Sequence, residues 1–389
     1  MREGWTIMTI GEVALHLCDG SHNPPVGIDF SEYPMLSSKN IFFDSYDYSE
    51  PRYLTKEQFD IENKRTNVSD GDILLTIVGT IGRVCCIKEP FQPFTLQRSV
   101  AVIKPNKNII ISRYLMYCLC GLNAYFNKEA KGVAQKGIYL KQLSKISIPV
   151  PPLQEQERIV AELDLLTGVI DKQKQQLKEL DTLAQSIFYD MFGNPVENEK
   201  GWIVRKLGDV CGFVNGFAFK SEKFKKEGLP VLRISNIQND IVKEDDMVYF
   251  SPSDYKEDFS KYQVIKGDIV IAMSGATTGK LGVHIGSSTY YLNQRVGKFL
   301  PSKTTLNKSY LLYYLKSMSA QILNDAMGVA QPNISSGQIK GYDILVPPMD
   351  AQISFATIIN TIASQKESIN RSLAESQKLF DYTMDKYFG

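Results

Sequence analysis

Between Pro152 and Gly193 apolar residues recur at intervals of four and three: Ile159, Leu163, Leu166, Ile170, Gln173, Leu177, Leu180, Ala184 and Ile187. Eight of these nine positions are apolar. A mean spacing of about 3.5 is that of a coiled-coil seam rather than of an ordinary globular helix. Pro152 suits a first helical turn, Glu155 and Glu157 complement the positive end of the helix, and Gly193 followed by Pro195 stops it. A second seam runs through Phe355, Ile359, Ile362, Lys366, Ile369, Leu373, Ser376, Phe380 and Thr383. Its three polar members are the kind that fix register and partner at a cost in stability. Each seam predicts a helix of about 40 residues, roughly 60 Å long at 1.5 Å per residue.

The rest of the pattern alternates on a shorter period. Apolar runs at Ile73–Val78 and Ile269–Met273 read as strands, each climbing to a glycine-bearing turn and a second strand. An amphipathic helix is predicted near 112–127 and another near 309–324. Short strands, Ile146–Val150 and Asp343–Val346, lead into the two double prolines.

Every element thus occurs twice. Gly71-Asp72-Ile73 returns as Gly267-Asp268-Ile269, Gln97-Arg98 as Gln294-Arg295, and Tyr114-Leu115 as Tyr310-Leu311. GVAQ at 132–135 recurs at 328–331, Pro151-Pro152 as Pro347-Pro348, and Phe192-Gly193 as Phe388-Gly389. Trp5 and Trp202, the two tryptophans, each follow a glycine near the start of a copy, and the offset is 196 or 197 throughout. A period this long means a duplicated domain, not a solenoid. The predicted organisation is a strand-rich domain at 1–152, a helix at 153–193, a second strand-rich domain at 194–348 and a second helix at 349–389. The fold class is α+β, with the two helices pairing as an antiparallel coiled coil of pseudo-two-fold symmetry.

Candidate chemistry is thin. GDIVIAMSGATTGKLGV at 267–283 invites comparison with a phosphate-binding loop, which needs four residues between its glycines and a hydroxyl after the lysine. Three residues separate Gly275 from Gly279, and Leu281 stands at the hydroxyl position. The counterpart GDILLTIVGTIGRVCCI at 71–87 keeps the glycines but has no Gly-Lys pair, so the phosphate loop is rejected. SHNPPVG at 21–27 resembles a base-holding corner of amino-methyltransferases, but Val26 replaces its stacking aromatic. E-x-K triplets at Glu62–Lys64 and Glu129–Lys131 do not recur in the other copy. Six cysteines form no C-x-x-C pair, and with three histidines no metal site is expected; the thiols suit a reducing cytoplasm. Neither a signal peptide nor a membrane span is expected.

Net charge is +1, but its distribution is uneven. Residues 1–78 carry 6 Lys/Arg against 13 Asp/Glu, whereas residues 79–152 carry 11 against 2. Residues 275–348 carry seven basic and two acidic residues. Two basic blocks in a neutral chain suggest two separate footprints on a polyanion.

The motifs GDILLTIVGTIG, TLQR, GVAQKGI, PPLQEQ and MFGNP, their second copies and the order domain–helix–domain–helix resemble the DNA-specificity subunit of type I restriction–modification systems. The resemblance spans the whole chain. It implies two target-recognition domains that each read one half of a split duplex site, held apart by paired spacer helices. It also implies two methyltransferase subunits docking on the chain and a translocase–nuclease subunit joining them. S-adenosylmethionine, ATP and magnesium would then belong to those partners, and this chain would be non-catalytic. The second copy departs from the pattern with PPMDAQ for PPLQEQ and with Pro332 where the first has Lys136.

Shared features such as Gln97-Arg98 and Gln294-Arg295 are expected to serve scaffold or backbone contact. Base readout is expected where the copies diverge. The candidates are Lys39, Asn40, Arg83, Lys136 and Tyr139 in the first domain, and Arg233, Ser235, Asn236, Thr277, Thr278, Lys280 and Asn333 in the second. Two other classes stay open on sequence: the recognition half of a single-chain nuclease–methyltransferase, and a coiled-coil scaffold that binds no DNA.

Overall fold

A four-stranded antiparallel sheet forms the centre of each copy. In the first, the order is Ala14–Asp19, Val100–Pro105, Ile73–Thr76, Val84–Cys86. In the second it is Cys211–Asn215, Val296–Pro301, Ile269–Ala272, Leu281–Val283, extended by two short strands. The structure, a computed structural model, describes residues 4–130, 137–327 and 332–389. It divides into two compact units, Met1–Lys174 with Arg371–Gly389, and Gln175–Asn370. Each long helix, Leu153–Phe192 and Met349–Phe388 at 40 residues apiece, therefore contributes to both units, its N-terminal part to one and its somewhat shorter C-terminal part to the other.

Strand period explains why the central runs are apolar without interruption. Ile73 and Leu75 point into a core shared with the helices, while Leu74 points into a second core on the opposite face. Ile269 and Ile271 against Val270 and Ala272 repeat the arrangement. Both faces of each sheet are buried.

Repeated motifs turn out to be joints. Asp72 and Asp268 are buried and accept the amides of Ser69 (2.8 Å) and Ile265 (3.0 Å), closing the same turn in both copies. Gln156 and Gln352 are fully buried at the start of the long helices. Gln156 accepts from the Ile111 amide and donates to the carbonyls of Ile109 and Pro151; Gln352 does the same with Asn307, Thr305 and Pro347. The departure from PPLQEQ to PPMDAQ keeps the one glutamine that clamps the loop. Gly20 and Gly216 mark a crossing, since a Cβ there would lie 2.1 Å from the carbonyl oxygens of Leu96 and Asn293 respectively.

The change of offset also has a structural cause. Thr6–Thr9 pairs with Ser147–Val150 as Ile203–Lys206 pairs with Asp343–Val346, an entry strand displaced by 197. Leu15 is then skipped in the pairing of Ala14–Asp19 with Val100–Pro105, a bulge that the second copy lacks. After it the frame runs at 196: Leu96 and Val100 occupy the positions of Leu292 and Val296.

Two expectations change. The single amphipathic helix is in each copy a pair, Ser112–Gly121 with Asn123–Glu129 and Lys308–Ser317 with Ser319–Ala326. Leu122 and Met318 break them with ψ near zero and amides shared between the carbonyls three and four residues back, which lets Phe126 and Ile322 bury in the cores. No proline or glycine–proline signal marks that break. The strands predicted to Val78 and Met273 end at Thr76 and Ala272.

The seam residues Ile159, Leu163, Ile170, Phe355, Ile362 and Phe380 are buried. Leu166, Leu177, Leu180, Ile187, Ile359, Ile369 and Leu373 are half-buried. Near the end of the first helix Phe188, fully buried, takes over from Ile187 and packs with Phe192, Phe355 and Tyr310. Within the first unit Arg158 reaches the Tyr387 hydroxyl (3.0 Å) and Gln173 reaches Ser372 (2.8 Å). Within the second unit Asp181 pairs with Lys366 and Phe188 meets Phe355. In both, one helix number rises as the other falls, so the halves run antiparallel.

Candidate nucleic-acid interface

One end of each central sheet gathers four loops. In the first unit these are the turn Gly79–Gly82, the 3₁₀ turn Ser38–Asn40, the turn at 97–99 and the segment 137–140. Thr80 Oγ1 donates to the Ser38 carbonyl (3.2 Å), the Ser38 amide to Ser99 Oγ (3.0 Å), and the Ile138 amide to the Ile77 carbonyl (2.9 Å). In the second unit the Met273 amide donates to Arg295 (2.8 Å), the Gly275 amide to Pro332 (3.0 Å), and the Ile334 amide to Met273 (2.9 Å). The Gly275–Lys280 stretch is thus a turn between antiparallel strands, with Gly275 and Gly279 at φ +82 and +84.

These loops bring several of the candidates together. Lys39, Arg98 and Tyr139 are exposed in the first unit, and Ser235, Lys280, Gln294, Arg295 and Asn333 in the second. Gln97, Arg83, Arg233 and Thr277 are half-buried. Lys136 and both GVAQ segments lie outside the described residues.

Three candidates are corrected. Asn40 and Asn236 are buried and occupy one frame position. Asn40 accepts the Ser37 amide and donates to Ser49; Asn236 accepts the Arg233 amide and donates to Asp245. Thr278 is buried, its hydroxyl donating within the turn to Gly275 (2.6 Å). All three spend their polar groups on holding loops.

The repeated Gln-Arg dipeptide is a second correction. Ile77 and Met273 are equivalent, and their amides donate to Ser99 and Arg295. Arg98 therefore shares its position with Gln294, and Arg295 shares that of Ser99: the dipeptide is shifted by one residue on the turn. Conversely, the second hairpin turn is one residue longer. The amides of Thr76 and Ala272 donate to the carbonyls of Arg83 and Lys280, so these two basic residues are equivalent. Arg83 lies on the Phe42 ring (5.2 Å) and donates to the Ile41 carbonyl, while Lys280 projects into solvent.

Each loop cluster borders a cleft. In the first unit a cleft of about 180 Å³ is lined by Asp19, His22, Val78, Arg98 and Tyr139. Asp19, nearly buried, accepts from His22 Nε2 (2.8 Å) and from Arg65, with which it forms an ion pair. In the second, a cleft of about 620 Å³ is lined by Asn239, Asp240, Lys280, Lys316 and Leu323. Sequence reasoning set His22 aside with its Pro-Pro corner and missed Asn239 and Lys316. No short motif carries them, because the hairpin 237–242 and the helix Lys308–Ser317 meet only in the fold.

Burial also trims the basic blocks. Lys104 pairs with Asp72, Arg113 with Asp44 and Asp164, Lys298 and Lys308 with Asp268, and Lys316 with Asp240. Part of the positive charge neutralises the chain's own carboxylates. Lys88, Arg98, Lys107, Lys128, Lys141 and Lys145 in the first block, and Lys280, Arg295, Lys303 and Lys340 in the second, stay exposed.

A family model described as the type I restriction modification DNA specificity domain matches residues 2–182 and again 199–376. The chain is 25% identical over 385 residues to the type I restriction enzyme MjaVIII specificity subunit of Methanocaldococcus jannaschii, covering 92% of this chain and 86% of that one. It is 33% identical over 187 residues to the EcoBI specificity subunit of Escherichia coli, covering 46% and 38%. Its fold is similar to the crystal structure of a type I restriction–modification S subunit from M. genitalium, with a TM-score of 0.60, 15% identity and coverage of 99% and 96%. Among the described residues no helix is long and apolar enough to cross a membrane.

Proposed function

The chain belongs to the family of type I restriction–modification DNA specificity domains, and from that membership we propose a division of labour among its parts. It is a non-catalytic specificity subunit that recognises duplex DNA through two domains. The observation that carries the two-part reading is the pair of loop clusters, alike in backbone and unlike in exposed side chains. Phosphate contacts position such a protein and base-edge contacts specify the sequence. Arg83 and Lys280, which share a frame position, serve as phosphate contacts. Lys39, Arg98 and Tyr139 read one half-site; Ser235, Gln294, Arg295 and Asn333 read the other. The long helices set the gap between the halves. Two methyltransferase subunits dock on the chain, a translocase–nuclease subunit joins them, and S-adenosylmethionine, ATP and magnesium reside on those partners in the cytoplasm.

Isolated with its methyltransferase partner, the chain should direct methylation of a two-part sequence, whereas alone with S-adenosylmethionine it should leave DNA unchanged. Methylation by partner-free chain would overturn the subunit reading. Seven residues inserted between Leu166 and Gln173, matched by seven between Leu373 and Phe380, keep the heptad phase and add about 10 Å of helix. At about 3.4 Å per base pair, the methylated site should keep both halves and lengthen its gap by up to roughly three base pairs. Altered halves with an unchanged gap would remove the ruler.

A further inference from the structure

Arg113, on the helix Ser112–Gly121, is the hub of a half-buried ionic joint in the first unit. Its Nε donates to both oxygens of Asp164 at 2.9 Å, and Nη1 to both oxygens of Asp44 at 2.9 and 3.0 Å. Nη2 donates to the Tyr117 hydroxyl (3.3 Å) and to Asp164, and that hydroxyl donates to Asp164 in turn (2.6 Å). Burial pulls the guanidinium towards neutrality, but the carboxylates of Asp164 and Asp44 more than reverse this and hold it charged. Burial, reinforced by the bond to Asp164, likewise holds the Tyr117 phenol protonated.

What the joint connects gives it meaning. Asp164 lies on the first long helix. Asp44 sits at φ +48 in the turn between Ile41–Phe42 and Ser45–Tyr46, with its amide bonded to Val84 (2.9 Å). The same turn carries Phe42, on which Arg83 lies, and Phe43, whose ring meets Tyr117 (6.4 Å) and Phe380 of the second long helix (6.2 Å). One guanidinium, its side chain only 16% exposed, thus ties the loop behind Arg83 to the long helix. Ion pairs, whether exposed or buried, add little net stability, so geometry is the better account of this one. In the second unit the same frame positions hold Ser309, Asn360 and Asp240, and Asp240 pairs with Lys316 instead.

We propose that Arg113 is a positioning residue that locks the first recognition domain to its spacer helix at one angle, so that the chain discriminates gap length as well as half-site sequence. The proposal rests on the helices acting as a ruler. A lock at the joint makes a half-site displaced by one base pair unreachable without breaking several charged hydrogen bonds.

The test uses the chain complexed with its methyltransferase partner. Methylation rates are compared on duplexes with the native gap and with gaps one base pair longer or shorter. In Asp164→Asn, which keeps shape and removes charge, the preference for the native gap should fall by on the order of tenfold, the size of coupling a discrete joint carries. Preference among half-site sequences should stay as in the unchanged chain. Arg113→Gln should behave alike, and Arg113→Lys should not rescue, because an ammonium cannot fork two carboxylates. Lys206→Gln, which removes an exposed ion pair with Asp343 in the second unit, should leave the gap preference intact. Should Arg113→Gln fail to fold, Asp164→Asn decides alone: unchanged gap discrimination in that folded variant overturns the lock. If the seven-residue insertion lengthens the gap while Asp164→Asn behaves as the unchanged chain, only the lock falls. If the insertion leaves the gap as it was, the ruler falls and takes the lock with it.

Discussion

In the first unit the outer strands Arg52–Tyr53, Pro34–Leu36 and Thr95–Leu96 are flanked by the helix Lys56–Thr66, over a small core of Met35, Leu54 and Phe59. In the second unit the equivalent strands, Val248–Phe250, Leu229–Leu232 and Tyr290–Leu292, gain a fourth, Gln263–Val264, and the segment between carries only 3₁₀ turns. Aromatic rings fill that space: Phe219, Phe250, Phe259 and Tyr291, with Phe217, Tyr255 and Tyr262 against them. The leading segments differ in charge as well. Residues 22–33 carry Asp29 and Glu32 with no lysine or arginine, while residues 218–229 carry Lys220, Lys223, Lys225 and Lys226 against Glu222 and Glu227. Meanwhile the order of the four central strands, the crossing glycine, the buried aspartate and the helix-start glutamine are the same in both. A sheet sealed on both faces leaves its outer layer free to be rewritten, and a protein that reads two unlike half-sites needs that freedom.

The largest expected effect breaks the shared frame. In Gly20→Ala and Gly216→Ala the new methyl meets a backbone carbonyl, which cannot move without parting strands. Each should cost more than about 4 kcal/mol. Which unit opens can be read from thiols. Cys18, Cys85, Cys86 and Cys118 belong to the first unit and Cys211 to the second, all buried and free. Burial pushes the Cys211 thiol up to about 12 and Cys86 to about 11, so native alkylation at neutral pH is slow. Gly216→Ala should expose Cys211 to a maleimide and leave Cys85 protected; Gly20→Ala should do the reverse. Labelling of both sets in both variants would show the units to be one cooperative block.

Gln156→Leu and Gln352→Leu sharpen the same comparison at smaller scale. Each removes a side chain that makes three hydrogen bonds in a fully buried place. The unpaired amide and carbonyls left behind should cost about 2–4 kcal/mol. Equal losses, measured by denaturant unfolding, are expected, because both copies use the same three partners. A loss in one copy only would mean that the second motif, PPMDAQ, had shifted the clamp elsewhere.

The duplication, the two long helices and their seams were legible because they rest on periodicity, which survives in any tertiary context. The hairpins were legible for the same reason. Equivalence of single residues was not. Matching Gln97-Arg98 with Gln294-Arg295 by letter gave the wrong pairing, since hydrogen bonds to the neighbouring strand set the frame and letters do not. Arg83 and Lys280 looked unrelated because one residue was gained in the turn between them and the strand before. Asn40 and Asn236 looked like readers because asparagine suits both a base edge and a loop cap, and only burial tells them apart. The ionic joint at Arg113 draws its members from positions 44, 113 and 164, with no local signature at all.

The smallest effect tests the equivalence of Arg83 and Lys280 directly. Lys280 is exposed, so Lys280→Ala should change stability by no more than about 0.5 kcal/mol. If it contacts a phosphate, affinity should fall alike for all duplexes, and the salt dependence of binding should drop by about one unit of slope. Arg83→Ala should give the same change in slope. It should also lose about 0.5–1 kcal/mol of stability, because its guanidinium rests on Phe42. Binding of the assembled complex to its own target and to a scrambled duplex, followed across salt concentrations, separates the outcomes. A base reader would instead show a cost of about 1–3 kcal/mol confined to one position of one half-site. Were Arg83→Ala to lower the slope while Lys280→Ala left it unchanged, the shared backbone position would not imply a shared role, and the longer turn of the second unit would have carried its lysine away from the DNA.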